Sequence, residues 1–207
     1  MAKVKGGLLG SVAGKLGPLV VVQRGETTYV RSAPVFTKDS WSEKQQKNRQ
    51  RFREVNAFCR RFKQQVIVPV WNKLAEGKSG YHLFLKANSP AFGQDGSIQD
   101  ISLLRFADGK LPQPFQLKAQ RSGEDAMNIQ VSWQNDGLSA ALRLQDELLY
   151  MTAETDQFQG IFSSGIQRSQ GGGVIRLPEG TTAERGIYLF FAAPDRAGFS
   201  PDRYVAL

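Results

Sequence analysis

The second half of the chain is a series of short β-rich runs cut by turn residues, and that rhythm constrains the fold more than any other feature. The runs cover residues 101–106, 115–121, 127–133, 147–153, 161–168, 174–177, 187–192 and 203–207. Asn135-Asp136-Gly137, the flexible connection expected at Gly171-Gly172-Gly173, and Pro194-Asp195 punctuate them. Ile129, Val131 and Trp133 alternate along one run, and Ile187, Leu189 and Phe191 along another, which is the period of a strand that buries one face. About seven such strands in roughly 100 residues predict a β-sandwich of the immunoglobulin or fibronectin type III kind.

The first half is patterned differently. Gly6, Gly7, Gly10, Gly14 and Gly17 alternate with Leu, Val and Ala, a density that suits close approach of another backbone and marks an assembly arm. Two β-rich runs, 19–24 and 27–31, flank Gly25-Glu26 and predict a hairpin ended by Pro34. Ser40-x-x-Glu43 has capping-box spacing and predicts a helix from about 41 to 68. Phe52, Val55, Cys59, Phe62 and Val66 recur every three or four residues and share its apolar face, widened by Phe58. Pro69 is expected to break or re-cap that helix. Two short helices, 70–76 and 79–88, follow, with Trp71, Leu74, Tyr81, Phe84 and Leu85 turned inward. Composition shifts to Ser, Pro, Gly, Asn and Asp over 88–96, so the expected domains are 1–90 and 91–207. The fold class is α+β: an N-terminal β-hairpin, a long helix and short helices, then the all-β sandwich.

Charge separates the same two halves. Residues 1–90 hold 17 Lys and Arg against 5 Asp and Glu, and residues 91–207 hold 10 against 14, so the net charge of +8 is the sum of +12 and −4. Arg49, Arg53, Arg60 and Lys63 fall on one helix face, a cationic stripe that could follow a phosphate backbone or an acidic protein surface.

No motif names a reaction, and the chain reads as a non-enzyme without cofactor, metal or identifiable small-molecule substrate. Gly10-Ser-Val-Ala-Gly14-Lys15-Leu16 has one residue too few between its glycines for a phosphate loop, lacks Ser or Thr after the lysine, and precedes a predicted strand. A single cysteine allows no intramolecular disulfide, and Cys59 with the single histidine, His82, cannot complete a Cys/His zinc site. His82 has no assignable nucleophile or carboxylate partner, and Cys59 falls on the apolar helix face. The carboxylates of the second half are scattered over turns and strand ends. No stretch reaches the ~20 apolar residues of a membrane span, because Lys15, Pro18 and glycines interrupt 6–22. Nor does the start follow a secretory signal pattern, so cytoplasmic synthesis is expected.

Several motifs carry a resemblance. Lys3-x-Lys5-Gly6-Gly7, Gly14-Lys15-x-Gly17, Val30-Arg31-Ser32-x-Pro34 and Ser42-x-x-Gln45-x-x-x-Arg49-x-x-Phe52 resemble an uncharacterised family of Bacteroidetes proteins. Arg176-Leu-Pro178, Tyr188-Leu-Phe-Phe191, Gly198-Phe-Ser200 and Tyr204 continue the likeness to the end of the chain. That family usually carries proline shortly before its T-x-x-Q, where this chain has Lys38-Asp39-Ser40. The resemblance implies a Gly-rich N-terminal arm and a C-terminal fibronectin-like domain, and no activity. Trp71-Asn72 with Gly80-Tyr81-x-x-Phe84 is also similar to phage-encoded structural proteins. The function expected is structural: assembly by protein–protein contacts of the arm and helix, with a second copy or another protein, and nucleic-acid binding through the stripe as the alternative.

Overall fold

A computed structural model describes residues 3–5, 11–24, 27–35, 41–113, 115–123, 127–135, 142–154, 158–181 and 183–207. The chain divides into two compact units, Met1–Gln45 and Gln46–Leu207. The division falls well before the composition shift at 88–96, and it places nearly all of the long helix with the strands that follow it.

The first unit is an antiparallel meander of β1 (Lys3–Lys5), β2 (Ser11–Leu16), β3 (Leu19–Arg24) and β4 (Thr27–Ser32), in that spatial order. The β3–β4 hairpin has the expected register, with Arg24 opposite Thr27; its Gly25-Glu26 loop lies outside the described residues. A second hairpin joins β2 to β3 through Gly17-Pro18, with Leu16 opposite Leu19. Gly17 takes φ +56°, the left-handed value a two-residue hairpin needs at its first position, and Pro18 holds the second at negative φ.

In the second unit α1 spans Glu43–Arg61, with its first turn in the preceding unit. Its cap is two residues later than Ser40-x-x-Glu43 predicts. The Gln45 amide donates to Ser42 Oγ at 3.3 Å and the Ser42 amide to Gln45 Oε1 at 3.0 Å, so Ser42 and Gln45 make the reciprocal pair. Both spacings offer the motif, and Ser42 is the one directly before the first helical residue; Ser40 lies outside the described residues. Pro69 does not end the helix. A π-helical segment, Lys63–Trp71, carries the chain through it into α2 (Asn72–Leu74). The wider turn, seen where the Ile67 amide donates to the Phe62 carbonyl, relieves the clash that a proline ring makes with the carbonyl four residues back in an α-helix. α3 follows at Gly80–Asn88.

Among the described residues of this unit seven strands form two antiparallel sheets. One has the order β5 (Phe115–Arg121), β6 (Asn128–Gln134), β9 (Gly172–Arg176). The other runs β11 (Arg203–Val205), β10 (Gly186–Ala192), β7 (Glu147–Ala153), β8 (Phe162–Gln167). Leu117, Ile129, Val131, Trp133 and Ile175 from the first meet Leu148, Tyr150, Ile187, Leu189 and Phe191 from the second in one core. A three-stranded sheet packed face to face on a four-stranded one makes a β-sandwich.

Two runs differ from expectation. Residues 101–106 do not form a strand: Ile101–Leu103 is a 3-10 turn, because Asp100 caps it by accepting from the Ser102 amide at 2.8 Å. Gly172 and Gly173 are strand residues and only Gly171, at φ +68°, is the turn. A Cβ on Gly172 would lie 2.6 Å from the Val131 carbonyl oxygen, and one on Gly173 2.9 Å from Ile166 Cδ1, so close packing and not flexibility explains these glycines.

The two central strands of the four-stranded sheet, β10 and β7, are buried on both sides. Leu149, Met151, Ala153, Tyr188, Phe190 and Ala192 alternate with the sandwich-facing residues and pack against Val55, Phe58, Cys59, Phe62, Val66, Ile67, Val70 and Trp71 of the helical segment. Phe58, Phe62, Phe84, Phe106 and Phe158 fill this second core, mostly with tilted and edge-on ring contacts such as Phe58–Phe62 at 4.8 Å between centroids, while the Phe58 and Phe84 rings lie parallel. The apolar stripe on α1 thus finds its partner, except that Phe52 is 59% exposed.

Candidate functional site

Two surfaces bear on function, one in each unit. In the first unit none of residues 13–23, 28–35 and 41–45 is buried. Directly paired residues share a sheet face, so the pairs Leu16–Leu19, Val21–Val30 and Leu19–Ser32 put Leu16, Leu19, Val21 and Val30 on one side. Gln23, Thr28 and Ser32 are the polar members of that side, and among the described side chains it carries no charge. Leu16 is 60% exposed and Val30 57%. The opposite side holds Lys15, Val20, Val22, Tyr29 and Arg31. Of the arm glycines, Gly14 pairs with Val21 inside β2 and Gly17 makes the turn, while Gly6, Gly7 and Gly10 lie outside the described residues.

The second surface is the cationic side of α1. Arg49, Arg53, Arg60 and Lys63 are all exposed. Arg53 contacts its neighbour Glu54 at 3.4 Å, an exposed pair of small energetic weight. Arg51, beside the stripe, is spent inside the fold, donating to the carbonyls of Phe92 and Ser89 at 3.2 and 2.8 Å. Arg60 and Lys63 alone of the four line a cleft of about 640 Å³, which Lys78 joins from the loop before α3. Sequence reading missed Lys78, since nothing in its spacing places it beside residues 15 and 18 positions earlier.

The cleft is held in shape by local packing. On one wall the Tyr81 hydroxyl donates to Asn56 Oδ1 at 3.0 Å, and Asn56 Nδ2 donates to the Phe52 carbonyl at 2.7 Å. Partial burial raises the Tyr81 phenol above its usual range, opposed by the Arg60 guanidinium beside it. On the other side α3 starts against the end of the π segment. A Cβ on Gly80 would lie 2.7 Å from the Asn72 amide nitrogen and 2.7 Å from the Trp71 carbonyl carbon, so only glycine allows this approach. Ser79 precedes α3 without a side-chain cap, leaving the first amides of the helix aimed along its start.

Of the remaining reactive groups, Cys59, Asp146 and Arg168 lie inside the fold. Cys59 is buried and its thiol is pushed up to about 12 by desolvation, which keeps it protonated and unreactive. His82 is exposed with its ring 6.0 Å from that of Tyr81. Asp146 and Arg168 form an ion pair at 3.6 Å with both side chains 1% exposed. Burial raises the Asp146 carboxyl, and Arg168 opposes the rise. The guanidinium stacks 4.0 Å over the Phe191 ring and donates to the Pro112 carbonyl at 2.8 Å, which ties it into the sandwich wall. Among the described residues no three His, Cys, Asp or Glu side chains gather as metal ligands, and no helix is long and apolar enough to cross a membrane. Comparison with known proteins finds no matching family model, no matching curated protein and no matching solved structure.

Proposed function

We propose that this protein is a non-catalytic assembly protein that self-associates through its N-terminal sheet, with the helix-backed sandwich as the body it carries. The uncharged apolar side of the β2–β4 sheet supports this reading. A sheet with no buried residue among 13–23 and 28–32 gains little from folding alone, and covering Leu16, Leu19, Val21 and Val30 would supply the missing apolar burial. A second copy suits that side, because two basic units can meet there without stacking like charges. The helix face then remains available to further partners.

Light scattering coupled to size exclusion, over a range of concentrations, tests this. The intact chain is expected to form a defined oligomer, Leu19→Lys with Val30→Lys to return it to monomer, and Arg31→Ser, on the opposite side, to leave it assembled. A monomer at every concentration overturns the reading. Salt-sensitive binding of mixed-sequence DNA or RNA by that monomer, lost when Arg49, Arg53, Arg60 and Lys63 are neutralised, supports the nucleic-acid alternative instead.

A further inference from the structure

The geometry points to a binding site for a small phosphorylated molecule in the cleft between the α1–π segment and the start of α3. This assignment does not depend on how the N-terminal sheet is used. Three cations from separate stretches line the cleft: Arg60 from α1, Lys63 from the head of the π segment and Lys78 from the loop before α3. None of the three forms an ion pair among the described residues. The acid nearest in sequence, Glu76, is held by Lys110 at 3.0 Å. Like charges gathered around one concavity repel, and an anion seated among them removes that repulsion.

The chemistry of the cleft narrows the anion. Lys63 and Lys78 are exposed, Lys78 acting on Glu76 only as a weaker charge behind Lys110, and Arg60, which also reaches the Tyr81 hydroxyl, adds a planar fork suited to an oxyanion. The uncapped first turn of α3 adds amide donors on the Lys78 side. Ile67 and Val68 also line the cleft, and Val68 is 43% exposed, which gives an apolar surface beside the cations. A volume of about 640 Å³ greatly exceeds a bare phosphate and falls within the range of small-molecule sites. The ligand is therefore an organic phosphate, with its phosphoryl group between the cations and its carbon skeleton on Ile67 and Val68.

Calorimetric titration of the intact protein with phenyl phosphate and with inorganic phosphate, at matched ionic strength, tests the assignment. Both are expected to saturate, with phenyl phosphate tighter by about 5-fold or more through its buried ring. Lys63→Gln and Lys78→Gln, at exposed positions where the fold is not at risk, are each expected to weaken phenyl phosphate by about 10-fold. Arg53→Gln, on the same helix but outside the cleft, leaves it unchanged. Absence of saturation overturns the proposal, as does an Arg53→Gln effect equal to that of Lys63→Gln. If a single-stranded oligonucleotide binds at the cleft far more tightly than phenyl phosphate, with a steep salt dependence, the small-ligand assignment gives way to a polynucleotide.

Discussion

Asp202 is a buried carboxyl whose surroundings give it two roles. One oxygen accepts from the Phe106 amide at 2.6 Å and the other lies 3.6 Å from Arg105, which joins the C-terminal end of the chain to the connection after α3. Desolvation nevertheless dominates and raises its pKa from 3.8 to about 6. The folded chain thus holds this proton where the unfolded chain has released it. Its contribution to stability is fullest below pH 3.8 and is lost as pH rises through about 6, opposite in sign to an ion-paired surface carboxylate. Relative to Asp202→Asn, the native protein is expected to lose roughly 1–2 kcal/mol between pH 5 and 7.5 in urea unfolding. Equal pH dependence in the two proteins would show that Arg105 and the amides outweigh burial. Gly80 is the other residue on which local geometry turns. Gly80→Ala forces a methyl group against the Trp71–Asn72 backbone, and a loss of roughly 1–3 kcal/mol in thermal or chemical unfolding is expected. An alanine variant of unchanged stability would mean that α3 shifts at little cost.

At the level of elements, the strands and helices follow local pattern wherever one side of the element decides burial. The alternation of Ile129, Val131 and Trp133 marks β6, and the stripe of Val55, Cys59, Phe62 and Val66 marks the buried side of α1 and the π segment after it. Pattern alone misleads where a long-range neighbour intervenes. The helix continues past Pro69 because Val66, Ile67, Val70 and Trp71 are all buried against the second core, and a π turn costs less than releasing them. Gly172 and Gly173 look like a linker, yet they are where β6 and Ile166 press on β9. The stretch from Gly186 to Ala192 is apolar at nearly every position, and the alternation read there caught only half of its role. A strand with helices on one side and a sheet on the other has no solvent face to mark with polar residues.

For the molecule as a whole, the described residues of both cores all lie in the second unit. A chain lacking residues 1–41, and so beginning at the Ser42 cap, is expected to unfold cooperatively near the full-length midpoint while losing self-association. A collapse of that midpoint would mean that the sheet is needed for the body to fold. Charge is distributed differently from the fold: residues 46–90 hold 10 Lys and Arg against 2 Asp and Glu, so most of the basic excess sits on helices that cover the sandwich. Composition and periodicity by themselves determined the α+β class, the sandwich, the N-terminal hairpin and the cationic side of α1, because each depends on neighbours within a few residues or on one buried face. Only the tertiary structure decided that the helices share a core with the four-stranded sheet, that Lys78 meets Arg60 and Lys63, and that the leading sheet keeps an uncharged apolar side open. Those outcomes depend on contacts between segments distant in sequence, and no local pattern encodes which distant segment supplies the partner.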